Sequence, residues 1–145
     1  MFWKLITAIA LDLACSLASA DGGAKVYVAA SSSNSVGSRF MFMLRENIRA
    51  SKSMELVLSP EDAFFTLHVV SLDPNTQEDG VSTVYTVVWT VKQLSSNAEI
   101  YWQSKIGTCG RTVVGDCAAT ITADTDRVVL DVQQSLIDAF KKSAK

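Results

Sequence analysis

The stretch Val81–Leu94, VSTVYTVVWTVKQL, decides the fold. Tyr85, Val87, Trp89 and Val91 alternate with Thr86, Val88, Thr90 and Lys92, the period of a long strand with two unlike faces. Gln93-Leu-Ser-Ser-Asn-Ala98 turns the chain back into a second such run, Ile100–Cys109, so the two read as an antiparallel hairpin. Just upstream, Phe64–Leu72 is nearly all apolar or β-branched and stops at Asp73-Pro74-Asn75, the punctuation of a third strand.

Further out the period changes. Lys25–Ala30 reads as a short strand, followed by a polar loop, Ser31–Ser35. From Gly37, Phe40, Leu44 and Ile48 recur every four residues, the spacing of one helix face. Arg45, Arg49 and Lys52 form a basic stripe toward the end of that helix, where positive charge complements the helix dipole. Met54–Leu58 reads as a strand. Ser59-Pro60-Glu61-Asp62 carries the start signal of a single helical turn, with proline at its first position. Beyond the cysteine loop and Ala118–Thr122, Asp124 is placed to cap a final helix running to about Lys142. Its expected stripe is Val129, Val132, Leu136 and Ala139/Phe140, with Lys141 and Lys142 at its negative end.

Two helices cannot cover both faces of such a sheet. The expected fold is therefore α+β: a two-layer sandwich of one mainly antiparallel sheet, four to five strands, with both helices on one face. The opposite face must meet water or a partner.

Residues 1–20 have the layout of a secretory signal peptide: Lys4, the apolar run Leu5–Leu11, and Ala18-Ser19-Ala20 before the cut. Cleavage after Ala20 is expected, leaving Asp21–Lys145 as one exported domain, periplasmic or secreted. The alternatives are a lipoprotein anchored at Cys15, though Asp12 stands where such signals place a leucine-like residue, and an uncleaved anchor. The leader takes away one positive and one negative charge, so the net charge stays at −2. A mildly acidic chain lacks the field that draws proteins onto nucleic acid or anionic lipid. No second apolar run reaches the roughly 20 residues of a transmembrane helix. A hydrophobic fraction of 48% against 19% charged residues is that of a globular core.

Cys109 and Cys117 enclose Gly-Arg-Thr-Val-Val-Gly-Asp. In an oxidising compartment such a pair reads as a disulfide; no C-x-x-C spacing or neighbouring histidine points to redox or metal chemistry.

Catalytic patterns are not met. His68 is the only histidine, flanked by Leu67 and Val69 with no nucleophile turn beside it, and reads as a strand residue facing water. Asp73, Asn75, Gln77 and Asp79 have the alternating oxygens of a calcium loop. Glu78 occupies the position of the required glycine, and Val84 that of the bidentate acid. Glu61-Asp62 and Asp124/Asp126 each fall at an expected helix start. No catalytic residue, cofactor or metal site is expected. Exposed aromatics on the uncovered sheet face, such as Tyr101 if Trp102 points inward, are candidate partner contacts, together with Arg45, Arg49 and Lys52.

The order of these motifs carries a resemblance. Val26 and Val28 precede a polar loop, and Gly37 opens a helix that ends in Ser51-Lys52-Ser53 before Met54-Glu55-Leu56-Val57. Asp62-Ala63, the strand around Tyr85, and Ile100-Tyr101-Trp102 follow. This is similar to the amino-terminal domain of the Tol-system protein TolB and to lipoprotein activators of penicillin-binding proteins. The resemblance implies a non-catalytic module that docks other bacterial envelope proteins, here without a following propeller domain and with an added Cys109–Cys117 loop. The expected function is thus an exported binding or adaptor module whose partner is an envelope protein. The alternatives are an inhibitor-like protein using the disulfide loop, or an enzyme with an unrecognised site.

Overall fold

The alternation in the deciding stretch becomes a two-faced central strand. In a computed structural model that describes residues 22–75, 80–93 and 96–143, Thr83, Tyr85, Val87, Trp89 and Val91 are buried on one side. That strand, β4 (Ser82–Lys92), pairs antiparallel with β3 (Phe65–Leu72) and β5 (Glu99–Gly110). β1 (Ala24–Ser32) lies parallel to both β3 and the three-residue β2 (Met54–Leu56). The five-stranded sheet has the order β2-β1-β3-β4-β5. It is an α+β fold as expected: most cross-strand pairs are antiparallel, with the β2–β1–β3 end parallel.

A parallel pair needs a crossover, and α1 (Ser35–Ala50) supplies it between β1 and β2. Asn34 caps this helix: its Oδ1 accepts from the Gly37 amide at 2.8 Å, and its Nδ2 donates to the Ser82 carbonyl at 2.8 Å. Phe40, Leu44 and Ile48 are fully buried, as their spacing requires. Gly37 has to be glycine, because a Cβ there would stand 2.0 Å from Ser71 Oγ and 2.4 Å from Ser32 Oγ.

β2 ends earlier than its sequence suggests. The Val57 amide bonds the Val26 carbonyl, and the chain then steps across β1, leaving Leu58 exposed. A 3-10 turn, Pro60–Asp62, capped by Ser59, lies on this step. The Phe64 amide meets the Lys25 carbonyl, and β3 begins opposite Val26, the level at which β2 stopped.

The second helix is the main correction. α2 runs Val114–Ser143, 30 residues, and follows directly on a 3-10 turn at Arg111–Val113. Asp124 and Asp126 therefore sit well inside it and cap nothing. Val114, Ala118, Ile121, Thr125, Val128 and Val132 form its buried stripe. The threonines fit because Thr120, Thr122 and Thr125 donate to the carbonyls of Asp116, Ala118 and Ile121, each four residues back. Past Val132, among the described residues, only Leu136 packs on the core; Ala139 and Phe140, expected on the stripe, are exposed. No helix among the described residues is long and apolar enough to cross a membrane.

The core lies between the sheet and these helices. Phe40 stacks on Tyr85 at 4.8 Å, and Trp89 donates its indole N–H to Thr125 Oγ1 at 3.0 Å. Gly107 stands opposite Tyr85, where a Cβ would come within 2.6 Å of the phenol oxygen. The ring thus needs the bare backbone of β5. Cys109 and Cys117 are joined with Cα atoms 6.2 Å apart, fastening the end of β5 to the first turns of α2.

Candidate functional site

With both helices on one side, β3, β4 and β5 present their other side to solvent. Alternation assigns Thr66, His68, Val70 and Leu72 of β3 to this open face, with Val84, Thr86, Val88, Thr90 and Lys92 of β4. β5 joins less simply. Trp89 pairs with Gln103 and Thr90 with Tyr101, so Trp102 is an extra residue, a bulge. The bulge shifts the phase of the strand. Ser104, Ile106 and Thr108 face outward after it, Glu99 and Tyr101 before it, and Trp102 packs against the core.

The register then arranges the open face in rows. Val70, Thr86 and Ile106 lie side by side, and Leu72, Val84 and Thr108 form the next row. Ile106 is 74% exposed, Leu72 59% and Val70 48%, a group of aliphatic side chains in water on a flat surface. Tyr101, 62% exposed, stands in the row of Thr66 and Thr90, its hydroxyl 3.2 Å from Ser104 Oγ.

The end of this face nearest Tyr101 is polar. His68 Nε2 lies 2.7 Å from Glu99 Oε2, and Thr90 Oγ1 donates to the same oxygen at 2.7 Å. A carboxylate only accepts, so Nε2 carries the hydrogen. Burial pushes the Glu99 carboxyl up, but the hydrogen bonds from Thr90 and His68 and the His68 charge outweigh it. Its pKa lies below the ordinary carboxylate value. Next to this group a cleft of about 340 Å³ opens between the Pro60–Asp62 turn and the β4–β5 hairpin. It is lined by Pro60, Glu61, Ala63, Thr66, Lys92, Asn97 and Glu99. Lys92 Nζ donates to the Glu61 carbonyl at 2.8 Å. The Ser59 hydroxyl bonds the Glu61 carboxylate and holds its pKa below the usual range.

The residues singled out in the sequence are scattered rather than gathered. Arg45 Nη2 donates to the Val28 carbonyl at 3.2 Å. That carbonyl points the same way as the one of Val26, beyond the end of β2, and Arg45 takes the place of the missing strand. Arg49 pairs with Glu46 on the surface, and Lys52 is exposed beyond the helix end. The three therefore do not form one free basic stripe. Asp124 holds Lys105 at 2.6 Å and Arg127 at 3.4 Å, and Asp126 accepts from Ser53 at 2.5 Å. These acids tie α2 to β5 and to the chain before β2. The segment between the cysteines is a 3-10 turn and the start of α2, not a protruding loop. Of the calcium-like loop, residues 76–79 lie outside the described residues, as does the leader, and the Asp73 carboxylate accepts from the Asn75 amide. Among the described residues no three metal-ligating side chains cluster. Glu99 was missed in the sequence because it meets His68 only through the register of three strands.

No protein-family model matches the chain, and no curated protein sequence does. Solved structures of similar fold include the PelC dodecamer from Paraburkholderia phytofirmans, 15% identical with a TM-score of 0.44, covering 72% of this chain and 88% of that one. A candidate lipoprotein from Caulobacter crescentus is 11% identical with a TM-score of 0.42, covering 73% of this chain and 90% of that one. A minor lipoprotein from Acinetobacter baumannii is 14% identical with a TM-score of 0.36, covering 71% of this chain and 92% of that one. Two of the three are thus named as lipoproteins, and none of the three is a TolB domain. At such identities and TM-scores the likeness assigns no role to this chain.

Proposed function

We propose that this chain is an exported, non-catalytic binding module of the bacterial cell envelope that docks a protein partner through the open face of its sheet. The observation that carries this reading is the group of exposed aliphatic residues Val70, Leu72 and Ile106, in two adjacent rows of a face that neither helix covers. Apolar groups gathered on a flat surface lose their contact with water when a partner covers them. Tyr101 at the polar end adds an amphipathic anchor of the kind that dominates interface energies. The leader-like first 20 residues and the Cys109–Cys117 disulfide support an oxidising compartment. The similarity of the quoted motifs to the TolB domain and the lipoprotein activators supports docking rather than catalysis.

A photo-crosslinker at position 106 is compared in intact envelopes with one at Phe42, which is 62% exposed on α1. The expected result is one reproducible envelope protein trapped from position 106 and absent from position 42. Equal trapping from both positions, or from position 42 only, overturns the reading.

A further inference from the structure

Lys92 and Glu99 are direct cross-strand partners in the β4–β5 pairing, where opposite charges normally meet. Here they turn away from each other. Lys92 reaches the carbonyl of Glu61 on the 3-10 turn, and Glu99 is held by His68 and Thr90 on the neighbouring strands. The two charges end up lining one cleft, together with Glu61 and the short apolar side chains of Pro60 and Ala63. From this separated pair we infer that the cleft is a binding site for a small zwitterion of amino-acid or dipeptide size. The carboxylate of that ligand meets Lys92, and its ammonium meets Glu99.

Three features favour this class of ligand. Lys92 has given one of its three N–H donors to a backbone carbonyl, which fixes the ammonium in place and leaves two donors for an incoming carboxylate. Glu99 is fixed by two donors, so neither charged group must be ordered when the ligand arrives, which removes part of the entropic cost of binding. The volume of about 340 Å³ is at the small end of ligand sites, and among the described residues its walls carry no aromatic platform for a base or sugar. A ligand with a carboxylate only would leave Glu99 facing its apolar part, and one with an ammonium only would leave Lys92 so, even with Glu61 on the same lining. Asn97 and Thr66 add neutral hydrogen-bonding groups to the lining. This site goes beyond the docking reading, since free ligand binds without a protein partner.

The test is an amide-resolved NMR titration of the purified protein at neutral pH with alanyl-alanine, and separately with the same dipeptide acetylated at its amino end and amidated at its carboxyl end. Alanyl-alanine is expected to shift the amides of Thr66, Lys92, Asn97 and Glu99, and the doubly blocked form to leave them unmoved. Lys92→Met and Glu99→Gln are each expected to weaken binding roughly tenfold, the loss of one charge-assisted hydrogen bond. The dispersed spectrum of each variant reports that it remains folded. The inference is overturned if alanyl-alanine shifts nothing, if it shifts residues elsewhere, if the blocked form binds equally well, or if both variants bind as the parent does.

Discussion

Arg45 and Arg49 stand one turn apart on α1, and their surroundings set different values on them. Arg45 satisfies a strand carbonyl that the short β2 leaves unpaired, and its half-buried stem packs along the way. Arg45→Ala is expected to cost about 1 kcal/mol in urea unfolding, from the lost hydrogen bond and stem contacts. Arg49→Ala, which breaks a surface pair with Glu46, is expected to cost only a few tenths, about 0.3 kcal/mol. Glu99 adds a pH dependence. Its folded-state pKa is depressed, so its contribution to stability is complete above its unfolded value near 4.5 and is lost as pH falls through the lower folded value. Glu99→Gln should therefore flatten the loss of stability below pH 4.5, measured as denaturation midpoint against pH, while changing little of its slope at neutral pH. Trp89→Phe removes the donor to Thr125 and part of a fully enclosed ring, and a loss of about 2 kcal/mol is expected.

At the scale of elements, periodic residues were readable and caps were not. The period of Phe40, Leu44 and Ile48 announced α1, and the alternation from Tyr85 to Val91 announced β4, because each burial pattern repeats many times within its own segment. Asn34 falls within the polar Ser31–Ser35 loop of the sequence; as a cap it acts through one local oxygen and a bond to Ser82, 48 residues away, which no local pattern reveals. Asn34→Ala is expected to cost about 1–2 kcal/mol by thermal unfolding. The sequence points to a later start for α2 than Val114 because Asp124 and Asp126 look like caps. The stripe Val114, Ala118, Ile121 was present in the sequence but interrupted by threonines, whose hydroxyls turn out to be satisfied inside the helix. The bulge at Trp102 had no signal at all. It is visible only when two strands are laid side by side, and with it the pairing of Glu99 and His68 stayed hidden. The disulfide was readable from compartment and spacing. Replacing Cys109 and Cys117 together by serine is expected to lower stability by about 2–3 kcal/mol, the entropy of an open short loop in the unfolded chain.

For the molecule as a whole, simple counting of helices against sheet area was enough to leave one face bare. Which residues populate that face needed the register. Because Ile106 contributes nothing to the core, Ile106→Lys should shift unfolding by no more than about 0.5 kcal/mol. The same change should abolish capture of the partner, an outcome read by crosslinking beside a melting curve. The disulfide has a longer reach. Thr83, opposite Cys109, and Lys92, opposite Glu99, lie nine residues apart on β4, about 30 Å along a strand. The molecule thus has a covalently braced pole and a charged pole, with a stiff hydrogen-bonded ladder between them. A thiol reductant would loosen the first without rearranging the second, so changes in the redox state of the surroundings would be felt as a shorter lifetime of the fold and at the Leu72–Val84–Thr108 end of the open face, not at the cleft.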